Sequence, residues 1–164
     1  MTEVIVWGSY GLLVLGILFL AFKLLKSSTG AITQPNPNKM TTTPAISTNT
    51  TNKGTQIEIL KDGNGSEVKY GDPIKCHYSA WIKKSETNFK LVDSSYDRGL
   101  PFGFDFGLRQ VIPGWEDGMK GMKIGERRRL TIPPNLAYGK KGKANVPPNA
   151  TMIFEVVLLE ISKT

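Results

Sequence analysis

The feature that most limits what this chain can fold into is its periodicity beyond residue 54. From there the apolar residues recur mainly at every second position, and a single short segment suits a helix. Gln56-Ile57-Glu58-Ile59-Leu60 alternates and runs into Asp62-Gly63-Asn64-Gly65, a turn. Pro73 to Trp81 alternates with Ile74, Cys76 and Tyr78 on one face. Arg127 to Ile132 follows a turn signal at Gly125, and Ala150 to Ile161 is long, apolar and β-branched, as a central strand must be. The helix is expected from about Trp115 to Lys120, just after Pro113-Gly114 breaks an apolar strand end. These signals predict an α+β domain over residues 54–164, an antiparallel sheet with one small helix packed on it.

The first third reads differently. Val4 to Phe22 is a run of 19 positions without a charge. At about 1.5 Å per residue a helix of that length spans roughly 28 Å, close to the hydrocarbon thickness of a bilayer. Trp7 and Tyr10 lie near one end, and Lys23 and Lys26 close the other. A cleaved signal peptide would need a basic segment before the run and a small-residue cleavage site after it. Here Glu3 precedes the run, with no Lys or Arg. Residues 1–26 are therefore expected to be a single-pass transmembrane anchor. Lys23 and Lys26 favour a cytoplasmic domain, whereas Asn49-Thr50-Thr51, a glycosylation-type triplet, favours a secretory lumen. These signals leave the side of the membrane open. Residues 27–53, rich in Thr, Asn, Ser and Pro, are expected to be a flexible linker with a reach of roughly 25–30 Å.

Charge and cysteine content narrow the function classes. The net charge of +7 is spread as +3 over residues 1–53 (four Lys, one Glu) and +4 over residues 54–164 (17 Lys/Arg, 13 Asp/Glu). Nucleic-acid binding is not expected, because the aromatic residues fall on core-facing positions rather than on a basic surface. Cys76 is the single cysteine, so no intrachain disulfide and no multi-cysteine metal site can form. It is expected to be a small core filler. His77 is the single histidine and alternates away from Tyr78, so neither a Ser-His-Asp triad nor a histidine metal site is expected. The run Arg127-Arg128-Arg129 reads as a solvated or edge-protecting face of its strand.

Seven motifs, in order, carry a more specific signal. They are His77-Tyr78, Val92-Asp93-Ser94-Ser95, Pro101-Phe102, Gln110 to Trp115, Leu136-Ala137-Tyr138-Gly139, Val146 to Thr151, and Phe154-Glu155-Val156. In this series residues 54–164 resemble the FKBP-type peptidyl-prolyl cis-trans isomerases, the macrolide-binding immunophilins. The resemblance implies a twisted, half-open antiparallel sheet wrapped around one short helix. It implies no cofactor and no metal. It also implies a pocket: Tyr78, Phe102 and Phe154 as aromatic walls, Trp115 as the floor, Val111 and Ile112 as one rim, and Val146 capping the loop side. The Ile112 backbone N–H would reach a substrate carbonyl. Asp93 would be a buried-edge carboxylate, and Tyr138 a hydroxyl donor from an overhanging loop. Asp93, Tyr138, Trp115 and Ile112 are thus the expected catalytic residues.

The sequence departs from the family pattern at Val92, where most members carry Phe, which removes one aromatic wall. The loop between Tyr138 and Pro147 is about one residue short and more basic, with Lys140, Lys141 and Lys143. The segment Ile82 to Leu91 looks like a longer loop than in minimal members. The implied partners are proline-containing unfolded or nascent polypeptides, and macrolide immunosuppressants as ligands. The implied activity is peptidyl-prolyl isomerisation at a membrane. A non-catalytic proline-peptide-binding or chaperone module using the same pocket is the alternative.

Overall fold

The computed structural model describes residues 39–162. The expected anchor, 1–26, and the first part of the expected linker lie outside these residues. Among the described residues, no helix is long and apolar enough to cross a membrane.

The described chain forms one antiparallel sheet of seven strands, β1 (Ser47–Thr50), β2 (Gln56–Lys61), β3 (Pro73–Lys83), β4 (Phe89–Ser94), β5 (Phe102–Asp105), β6 (Arg127–Ile132) and β7 (Met152–Ile161). Their order is β1-β2-β6-β7-β3-β4, and β5 pairs with the first half of β3. β3 and β7 are central, as their long β-branched runs require. The single α-helix among the described residues, α1, spans Pro113–Met119. Pro113 occupies its first turn, where the missing N–H costs nothing, and Gly121 at φ 71° follows its end.

The helix lies tight against β6. A Cβ on Gly114 would fall 2.3 Å from Ile132 Cγ2, and one on Gly118 would fall 2.8 Å from Leu130. Only glycine permits that approach. Trp115 and Met119 consequently pack into the sheet face with Tyr78, Leu130, Ile132, Met152, Phe154 and Val156, all buried. Cys76 is fully buried in the same core, and burial pushes its thiol up to about 12.

Three sequence expectations are corrected. First, the segment 27–53 is not a tether throughout, because Ser47–Thr50 is an edge strand paired with Gln56–Ile59. All four of its side chains are exposed, so no apolar pattern marks it. Just before it, the Thr41 N–H donates to Glu155 Oε1 at 3.0 Å, and the Thr41 carbonyl accepts from Arg129 at 2.6 Å. Second, Ile82 to Leu91 is not a long loop. β3 continues to Lys83, β4 begins at Phe89, and Ile82 pairs with Lys90. Third, Arg127-Arg128-Arg129 is neither solvated nor on an edge, since β6 sits between β2 and β7. Arg127 and Arg129 both pair with Glu155, which is 4% exposed. Arg128 is buried. It bonds Glu126 at 2.5 Å and donates to the carbonyls of Gly118 and Lys120 at 2.9 Å each, fixing the end of α1.

Candidate active site

Between α1, the sheet and the loop after β6 lies a cleft of about 630 Å³. All ten expected site residues line it: Tyr78, Val92, Asp93, Phe102, Val111, Ile112, Trp115, Tyr138, Val146 and Phe154. They come from β3, β4, β5, the approach to α1, α1 itself, the later loop and β7, so folding alone brings them together.

The floor is a box of rings. Trp115 meets Tyr78 edge-on, with centroids 5.2 Å apart at 85°. It meets Phe154 at 5.3 Å and 90°, and Phe102 at 5.9 Å and 83°. Edge-to-face packing is the arrangement that ring quadrupoles favour, so the box holds its shape without a ligand. Phe104, from the core, adds a further ring against Trp115 at 5.8 Å. The alternation of β3 explains why Tyr78 and Ala80 point into this cleft while His77 does not. His77 stacks on Tyr96 at 4.4 Å and shares a hydrogen bond with Ser95 Oγ at 2.9 Å, a structural role, as expected.

The polar groups sit at the rim. Asp93 is not a buried-edge carboxylate; its side chain is 47% exposed. β4 lies at the edge of the sheet, paired with β3 on one side only, and Asp93 is left partly to solvent. Both its oxygens are engaged: Tyr78 Oη–H donates to one and Arg98 donates to the other at 2.5 Å. Arg98 also donates to Tyr78 Oη at 2.9 Å. Burial alone would raise Asp93, but the hydrogen bonds from Tyr78 and Arg98, with the Arg98 charge, outweigh it and hold the carboxyl below its ordinary value. Tyr78 moves the opposite way, up to about 12, through burial and then the bond to Asp93. The triad therefore stays as carboxylate, phenol and guanidinium across neutral pH. Its effect is to lock the Tyr78 ring as a wall.

Several donors in the lining are left without a protein partner, the buried Trp115 indole N–H among them. Neither the Ile112 N–H nor the Tyr138 hydroxyl bonds another described residue. Burial, then the Asp93 charge, raises Tyr138, so its hydroxyl keeps its proton. An apolar box with unpaired donors in its lining can hold a small ring and orient the carbonyls flanking it.

The sequence reading missed several lining residues, chiefly Ala80, Gln110, Lys143 and Met152. Met152 was detectable as the alternation partner of Phe154. Arg98 was missed as well. It stands in a turn five residues after Asp93, where no periodicity marks a partner.

Comparison with known proteins agrees with this geometry. The family model for FKBP-type peptidyl-prolyl cis-trans isomerase matches residues 65–159. FK506-binding protein 1A of Neurospora crassa is 46% identical over 110 residues, covering 66% of this chain and 88% of that protein. A peptidyl-prolyl cis-trans isomerase of Schizosaccharomyces pombe is 41% identical over 111 residues, covering 66% of this chain and 96% of that protein. The crystal structure of AtFKBP13 superposes with a TM-score of 0.63 at 32% identity, over 71% of this chain and 99% of that one. An aromatic box built from ordered motifs, with the matching sheet and helix, makes the chain a member of the FKBP-type peptidyl-prolyl cis-trans isomerase family.

Proposed function

We propose that this isomerase turns X-Pro bonds in unfolded or newly made polypeptides, and that its N-terminal apolar run holds it at a membrane. The observation that carries the site assignment is the Trp115 box, a cleft floored by edge-to-face rings, with the Ile112 N–H and Tyr138 hydroxyl left to bind substrate.

The chemistry suits such a slot. Rotation about a peptide bond has a barrier of about 18–20 kcal/mol, and X-Pro isomerisation takes tens to hundreds of seconds unaided. No covalent bond need break. In the twisted amide the C–N bond loses double-bond character and the carbonyl loses charge separation. A dry aromatic cleft favours that less polar amide over the planar, hydrated one. Each ~1.4 kcal/mol of preferential stabilisation gives about a tenfold rate increase. In this proposal Trp115 seats the proline ring while Tyr78, Phe102 and Phe154 exclude water. The Ile112 N–H and Tyr138 hydroxyl fix flanking carbonyls. Asp93 acts on Tyr78 and on the field at the rim. The names of relatives such as FK506-binding protein 1A support macrolides as ligands of the same cleft.

The membrane assignment is supported by the uncharged length of Val4 to Phe22 and the flanking Lys23 and Lys26. Partition of the full chain between vesicles and buffer tests it, with a chain lacking residues 1–26 as control. Turnover of a proline tetrapeptide by the full chain, against Trp115→Ala and Asp93→Asn variants, tests the site. Both variants should lose turnover, Trp115→Ala by tenfold or more. Unchanged turnover in a folded Trp115→Ala variant would remove the floor from the mechanism.

A further inference from the structure

We propose that Lys143 makes the cleft select substrates with an acidic side chain next to the proline. This rests on the reading of the cleft as a prolyl-peptide site. Two of its lining residues carry full charge at neutral pH, Asp93 and Lys143. The Asp93 carboxylate is already neutralised by Arg98. Lys143 forms no ion pair among the described residues, so its charge is the uncompensated one in the lining.

The backbone holds that charge in place. The Lys143 N–H donates to the Val146 carbonyl at 3.0 Å, and the Val146 N–H donates to the Lys143 carbonyl at 2.8 Å. This reciprocal pair closes a two-residue turn over Ala144-Asn145, with Ala144 at φ 46°. Paired residues on an antiparallel ladder present their side chains to the same face. Val146 is buried in the cleft wall, so Lys143 is set beside it at the mouth. The Lys143 ammonium lies over the Tyr138 ring at 5.8 Å from the centroid. A cation held over that ring shares the cleft lining with the Tyr138 hydroxyl that would orient a substrate carbonyl. Within the turn, a Cβ on Gly142, at φ 67°, would meet the Val146 carbonyl at 2.3 Å, so this close approach needs glycine. Lys140 and Lys141, exposed on the same loop, add to the positive field. A carboxylate one residue from the proline would meet this cation without displacing any protein partner.

The test uses the full chain and tetrapeptides with Glu, Gln or Lys on either side of one proline. Turnover is read by exchange NMR, which needs no coupling protease with preferences of its own. The readout is the ratio of kcat/KM for the Glu and Gln peptides, which cancels any general loss from a disturbed loop. At one of the two positions the ratio should be about two- to fivefold, the range of a partly exposed ion pair, and should lie mainly in KM. It should fall towards one in 0.5 M salt, where the Debye length shrinks to ~4 Å. Lys143→Gln should abolish the ratio and Lys143→Glu should invert it in favour of the Lys peptide. A Glu preference that survives in Lys143→Glu, or no preference in the unaltered chain, overturns the proposal. No turnover of any peptide by the unaltered chain would instead overturn the prolyl-site reading and this inference with it.

Discussion

Arg128 offers the sharpest test of how the cleft floor is held. Its side chain is 8% exposed and pairs with Glu126, which is 5% exposed. It also accounts for the two carbonyl oxygens at the end of α1, those of Gly118 and Lys120. Arg128→Met keeps an unbranched apolar stem and removes the charge. Glu126 would retain the Lys123 N–H at 2.8 Å but lose its counter-charge. Breaking one side of a buried ion pair costs about 3–5 kcal/mol, because the remaining charge is left desolvated. Domains of this size are stable by only ~5–15 kcal/mol, so the loss is a large share. With a urea m-value of about 1–3 kcal/mol/M, the unfolding midpoint should drop by roughly 2 M. Adding Glu126→Gln to Arg128→Met should recover at least ~1 kcal/mol, since a neutral amide is cheaper to bury. Turnover should fall in the single variant under conditions where it remains folded, because the end of the floor helix has lost its tie. A single-variant loss below ~1 kcal/mol, or a double variant no better than the single, would refute the reasoning.

Three further outcomes follow from the site and its supports. Gly118→Ala should destabilise by about 1–3 kcal/mol through overpacking against Leu130, read as a shift in urea midpoint; an unchanged midpoint would show that the helix can lift freely. Asp93 is held below its ordinary value, so the stability it contributes is present above the unfolded carboxylate range and lost as pH falls through the folded value. Tyr78→Phe should move the Asp93 carboxyl upward in a 13C titration, and an unmoved titration would exclude the phenol as its partner. Val92→Phe should lower KM for peptides with an apolar residue before the proline by a few-fold, since it restores a ring to the wall; equal KM would place that residue elsewhere in the cleft.

The uneven legibility of the fold has physical causes. β6 and the first half of β3 bury one face, which leaves a period of two in the sequence, while β7 and the second half of β3 are buried on both faces and read as long apolar runs. β1 buries none of its side chains and is held by main-chain bonds, which no side-chain pattern records. β5 is only four residues long, and β4, at an edge, shows no clean alternation. Arg128 alternates with Leu130 and Ile132 on the core face, yet a charged residue there reads as surface until its partners are seen. Those partners include the carbonyls of Gly118 and Lys120, which only the tertiary fold brings near. The pocket residues could be read because seven short motifs keep their order along the chain. Arg98 could not, since its role depends on a turn that folds it back onto Asp93 and Tyr78.

The two glycines of α1 have a consequence for how such a cleft can be altered. Gly114 and Gly118 face β6 from beneath Trp115 and leave no room for even one added carbon. The depth of the slot is thus fixed from below, by side chains that are missing. A methyl group on the hidden side of the helix would push the indole outward and make the slot shallower without touching any residue that a ligand meets. Shape selection in this cleft can therefore be tuned through its foundation as well as through its walls.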